Sequence, residues 1–176
     1  MASAITPAAL HALATGTALR GLSREAHLLD VIADRPDAEA LMEAQLVEGQ
    51  FNCAGQLRTV SIFALRCVMP AIGREWSLAN WGNGIDDLRT QMRQATKDIL
   101  AVGVADFADA TTRTVQHKAG DAVLTQSVED YLVQFAVPNL WFHLSMAYAI
   151  LRAAGVPVGK ADFDGLHAYP DGFSFV

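Results

Sequence analysis

Asn139 and His143, four residues apart in an apolar stretch, are the first residues of this chain whose types and spacing could do chemistry. Side chains at i and i+4 of a helix stack on one face. An amide and an imidazole would thus stand one turn apart in the series Leu132, Ala136, Asn139, His143, Met146 and Ile150. A second segment has one polar anomaly. Gln56 falls in the apolar series Cys53, Gln56, Val60, Phe63 and Cys67, opposite Arg58, which marks the wet side. A buried amide without a partner is costly, so the two faces are expected to meet and satisfy each other. The cluster Gln56, Asn139 and His143 is then either a polar joint that fixes helix register or a working site. In a working site one imidazole, flanked by neutral amides, would hold a ligand or move a proton. Cys53, about one turn from Gln56, can approach the cluster and reads as small apolar filler or as an added soft donor.

Other residues carry less. His11 is placed to turn inward, whereas His27, His117 and His167 read as solvated. Asp130, Gln134, Trp141, Ser145, Tyr148 and Arg152 form a second stripe on the same helix as His143. Trp141, Tyr148 and Arg152 suit a dimer interface, and contact with the chain's own tail is the other reading. Gly155 to Ala161 looks like a phosphate loop but is one residue short, lacks a hydroxyl after Lys160 and follows a helix rather than a strand. Gly-x-Ser-x-Gly, His-Glu-x-x-His and Cys-x-x-Cys patterns are absent.

Four long helices are expected to position these groups. Thr6-Pro7 caps the first, whose apolar face reads Ala12, Thr15, Leu19, Leu22, Ala26, Leu29 and Ala33 up to Pro36. An acidic stretch, Asp37 to Leu46, forms a short helix broken by Gly49. The second long helix spans about Phe51 to Met69, stopped by Pro70 and Gly73. A loop with Trp76, Trp81 and Gly82 leads to the third, striped by Ile85, Leu88, Met92, Ala95, Ile99 and Val102, with Gly103 as its left-handed end. Residues around Lys118-Ala119-Gly120-Asp121 suggest a β-hairpin. Ser127 and Asp130 open the fourth helix, Val128 to Ala154, which Pro138 should kink and Gly155 should close. Residues 156–176, with Phe163, Tyr169, Phe173 and Phe175, read as an irregular strap. The fold class is therefore all-α: a four-helix bundle with a small β-hairpin or irregular insert before the last helix, in one domain over 1–176.

Composition narrows the functions. Of 176 residues 52% are hydrophobic and 18% charged, enough for a packed core. The net charge of −6, with three lysines and scattered arginines, excludes a nucleic-acid groove as partner. The start lacks a basic n-region and a long apolar run, so a cytoplasmic location is expected. Tyr131 to Leu151 is uncharged, but Gln134, Pro138, Asn139 and His143 make it a buried helix rather than a membrane span. Cys53 and Cys67 on one helix would stand ~21 Å apart, too far for a disulfide.

The segment Tyr131 to Gly155 followed by Gly159-Lys160-Ala161-Asp162-Phe163-Asp164-Gly165, together with Leu41 to Ala64 and its Gln56, resembles a bacterial family known as a domain of unknown function. That family is grouped with the DinB/YfiT-like metalloenzyme superfamily. The resemblance implies an up-down-down-up four-helix bundle, often a homodimer. It also implies a divalent metal, zinc or nickel, on three histidines, two of them spaced H-x3-H before an L-R-x-x-G ending. Counted back from Leu151-Arg152, His143 takes the second slot and Asn139 the first, with Gln56 nearest to the third. Acidic positions of the superfamily appear here as Gly49, Ile62, and Asn80 with Gly82. With amides in place of imidazoles, no cofactor is expected, and His143 is the one ligand left for any metal. The expected function is a small-molecule-binding or scaffold protein. The alternative is a divalent-metal-dependent transferase or isomerase acting with a small thiol.

Overall fold

The computed structural model describes residues 5–78, 82–170 and 173. Asn80, Trp81 and Phe175 lie outside the described residues. The chain is mostly helical, with one two-stranded antiparallel sheet among the described residues. Helix α1 (Pro7–Ala33) begins as expected: the Thr6 hydroxyl accepts from the Ala9 N–H at 3.1 Å, and Pro7 sits where no backbone donor is needed. Helix α2 (Ala38–Glu43) is short. Helix α3 (Cys53–Val68) is capped by Asn52, whose side-chain oxygen accepts from the Gly55 N–H at 2.8 Å. A 3-10 turn over Pro70–Ile72 and Gly73, at φ +67°, end that segment. Helix α4 (Ile85–Leu100) follows. Gly103 departs from expectation. Its φ is −101°, and it opens the 3-10 turn Val104–Phe107 instead of closing α4.

Strands β1 (Thr114–Ala119) and β2 (Ala122–Ser127) form the expected hairpin, with Thr114 opposite Ser127 and Ala119 opposite Ala122. Helix α5 (Val128–Tyr131) starts on Ser127, whose hydroxyl oxygen accepts from the Asp130 N–H at 3.1 Å. Between it and α6 (Val137–Ala153) lies a π-helical turn, Leu132–Ala136. This wide turn, closed by the Val137 N–H on the Leu132 carbonyl, comes just before Pro138, which has no N–H to offer.

Helix α3 packs against α1, α4 and α6, and α1 also touches α4 and α6. The buried face of α1 runs through Leu10, Ala14, Ala18, Gly21, Leu22, Glu25, Leu28 and Ile32. Ala12, expected inside, is exposed. Alanine carries little directional information, so apolar spacing alone misplaced Ala12, whereas Thr15, Leu22 and Leu29 of the expected face are buried. Gly21 allows the close approach of α1 and α6, since a Cβ there would stand 2.7 Å from Cδ2 of the buried Leu140. Among the described residues no helix is long and apolar enough to cross a membrane.

The strap is more ordered than expected. It contains helix α7 (Lys160–Asp164), reached through the buried Val156 and Val158. Asp162 ties it down twice, bonding His27 Nε2 at 2.7 Å and accepting from the Gly159 N–H at 2.6 Å. Burial pushes the Asp162 carboxyl up. The Gly159 N–H and His27 outweigh this and hold it below the usual carboxylate value. The anchoring is therefore present above about pH 4 and is lost as acid protonates Asp162. Asp162→Ala is expected to speed hydrogen exchange in residues 156–165 about tenfold at neutral pH, with α3 unchanged. Equal protection in wild type and variant would show that the valines alone hold the strap.

Candidate functional site

Helices α3 and α6 bring two of the three expected polar residues together. His143 Nδ1 stands 2.7 Å from Gln56 Oε1. The amide oxygen can only accept, so Nδ1 carries the proton and Nε2 keeps a lone pair. Nε2 has no hydrogen-bond partner and is not among the buried unpartnered atoms, so solvent reaches it. Burial pushes the imidazole down to about 4, which leaves it neutral near pH 7. Its ring is stacked between Phe63 and Phe51, at centroid distances of 5.5 and 6.3 Å, with Phe142 edge-on at 5.2 Å. Phe51 and Phe142 are 57% and 54% exposed, so the half-buried imidazole lies in an apolar surface patch. Phe51 also borders a cleft of about 470 Å³ shared with Gln50, Asn52, Arg58 and Ile62.

Asn139 does not join this pair. Its Nδ2 donates to the carbonyl of Phe135, one turn back on its own chain, at 2.7 Å. The buried face of this segment runs through Leu132, Ala136, Leu140 and Leu144 and leaves Asn139 and His143 at its margin. Cys53 is buried beside α2, and burial pushes its thiol up to about 12, so it is a neutral filler rather than a thiolate. Trp141 and Tyr148 of the second stripe each touch Phe163 of the strap, at 6.1 and 5.7 Å, and Arg152 donates to the Val158 carbonyl at 2.9 Å.

Several polar residues were misread from sequence or missed. Arg58 is not the wet reference: it is half-buried and donates to the Gly82 carbonyl at 3.0 Å. His117 is not solvated. It packs between Tyr131 and Phe135, at 4.9 and 4.2 Å, and its Nε2 meets Gln126 Oε1 at 2.7 Å. His27 is half-buried against Asp162, whereas His167 is exposed and pairs with Asp164. The main omission is Glu25, with no exposed surface in the α1–α3 contact. Its Oε2 accepts from the Ser61 hydroxyl at 2.8 Å, while Oε1 has no partner. Burial holds this carboxyl well above its usual value, against the smaller opposing effect of Ser61. Its signal was present in the sequence: Glu25 continues the helical spacing Ala14, Ala18, Leu22, Leu29 on one face. Gln91 likewise replaces Met92 at the centre of the α4 face.

The chain matches the model of the family described as "Domain of unknown function (DUF1993)" over residues 10–164. It belongs to that family. No curated protein matches it. A solved structure of a DinB family member from Shewanella denitrificans is similar in fold, with a TM-score of 0.72 and 25% identity over 93% of this chain and 96% of that one.

A DinB-like fold raises the question of a metal, and Gln56, Asn139, His143 and Cys53 do not form a donor set that fits one. Zinc and nickel ask for three or more imidazole, thiolate or carboxylate donors. Here Gln56 Oε1 and His143 Nδ1 bond each other, Asn139 is tied to its own helix, and Cys53 holds its proton. Among the described residues no three His, Cys, Asp or Glu side chains converge.

Proposed function

We propose that this DUF1993 protein binds a small, uncharged amphipathic molecule at His143 without the help of a metal. The observation that carries the reading is the Gln56–His143 hydrogen bond, which leaves Nε2 as an open acceptor among Phe51, Phe63 and Phe142. A ligand hydroxyl or N–H would donate to Nε2 while its apolar part covers Phe51 and Phe142. A neutral ligand is favoured because the imidazole itself is neutral. Binding is preferred over proton transfer because a base near 4 is far from the working range of a general catalyst. The thiol-dependent transferase or isomerase alternative draws no support from this donor set.

The His143 ring is expected to show no titration from about pH 8 down to about pH 5 when followed by NMR. Because its pKa is lowered on folding, the linked stability is present above the usual 6.5 and is lost as pH falls toward about 4. Phenol, a neutral donor with an aromatic body, is expected to shift His143, Phe51 and Phe142 resonances saturably. His143→Phe keeps the ring stack, removes the acceptor and should weaken that binding about tenfold. A ring that titrates near 6.5, or equal phenol affinity in His143→Phe, rejects the reading.

A further inference from the structure

The outer face of α6 and the strap frame a second, separate place for a ligand. Trp141, Ser145 and Tyr148 follow one another along α6 at four- and three-residue steps. The half-buried Phe163 of α7 lies against Trp141 and Tyr148, and these contacts make an aromatic corner. Beside it opens a mostly apolar cleft of about 350 Å³ lined by Ser145, Tyr148, Lys160 and Phe163. This is near the lower end of the ~300–1,000 Å³ typical of small-molecule sites, so its occupant is small.

The polar groups at the cleft are free while those around it are engaged. Asp162 is held by His27 and Gly159, Asp164 by His167, and Arg152 by the Val158 carbonyl. Among the described residues Lys160 Nζ, Ser145 Oγ and Tyr148 Oη make no hydrogen bond or ion pair. Lys160, exposed and lining this apolar cleft, is a local point of attraction for an anion despite the net charge of −6. One ammonium without an arginine fork suits a singly charged head better than a phosphate. Two hydroxyls can add hydrogen bonds to that head, and the rings of Tyr148 and Phe163 suit a flat body.

We propose that the cleft between α6 and α7 binds a small aromatic monocarboxylate. The carboxylate meets Lys160, Ser145 and Tyr148, and the ring lies against Tyr148 and Phe163. The test titrates phenylacetate, with 2-phenylethanol as its neutral counterpart, into the full chain and follows amide chemical shifts. Phenylacetate is expected to bind saturably at low salt, with shifts confined to the outer face of α6 and to α7, and about tenfold tighter than the alcohol. Lys160→Gln, a change at an exposed residue, should remove that preference without unfolding the strap. Tyr148→Phe should weaken phenylacetate binding while keeping the ring surface. Absence of saturable binding, shifts that map elsewhere, or an affinity unchanged in Lys160→Gln would each overturn the assignment.

Discussion

Glu25→Met is expected to gain stability over the wild type steadily as pH rises. The buried carboxyl keeps its proton in the fold because burial penalises its charge more than the Ser61 hydroxyl supports it. The unfolded chain releases that proton above its ordinary value of 4.5, so between that value and the folded-state pKa the native form holds more protons than the unfolded form. The stabilising contribution is complete below the ordinary value. It is then lost at up to ~1.4 kcal/mol per pH unit as pH rises toward the folded pKa. Methionine is unbranched, fills a similar volume and has no proton to lose. Denaturant unfolding of both proteins, followed from about pH 5 to pH 8, should therefore diverge, with the wild type losing stability relative to Glu25→Met as pH rises. Parallel stability curves would mean that the acid is ionised or hydrated in the native state.

Imidazoles placed at Gln56 and Asn139 beside His143 are expected to create a strong zinc site. Gln56 already touches His143, and Asn139 lies one turn from it on α6. Gln56→His with Asn139→His would replace a mutually satisfied amide–imidazole pair by three nitrogen donors. Zinc affinity, measured by competition with a chromophoric chelator, is expected to rise at least about a thousandfold over the wild type. The gain should be accompanied by thermal stabilisation that depends on zinc concentration, because the ion binds the native form. Wild-type protein that holds one equivalent of zinc as tightly as the double variant would show that the amides already serve as ligands.

Much of the fold was legible in local pattern. The Thr6-Pro7 start, the glycine stops at Gly73 and Gly155, the hairpin around Gly120-Asp121 and the Ser127 cap all stand where the residues placed them. These features are decided within a few residues by dihedral preference and by unpaired backbone groups at helix ends. The pairing of Gln56 with His143 was also legible, because each was a polar exception on an apolar face.

The misplacements share a different origin. Asn139 left the cluster because its amide found a nearer carbonyl, that of Phe135 one turn back. Glu25, Gln91 and His117 went inside although their types favour water, since neighbouring elements supplied partners such as Ser61 and Gln126 or closed over them. Residue types and spacing were sufficient for the helices and for most of their ends, Gly103 excepted. Which polar groups are buried, which ones meet, and which nitrogen of His143 stays open were set by packing among α1, α3 and α6. Periodicity records how often a face is apolar, whereas the protonation and pairing of one side chain depend on atoms brought near it from distant parts of the chain.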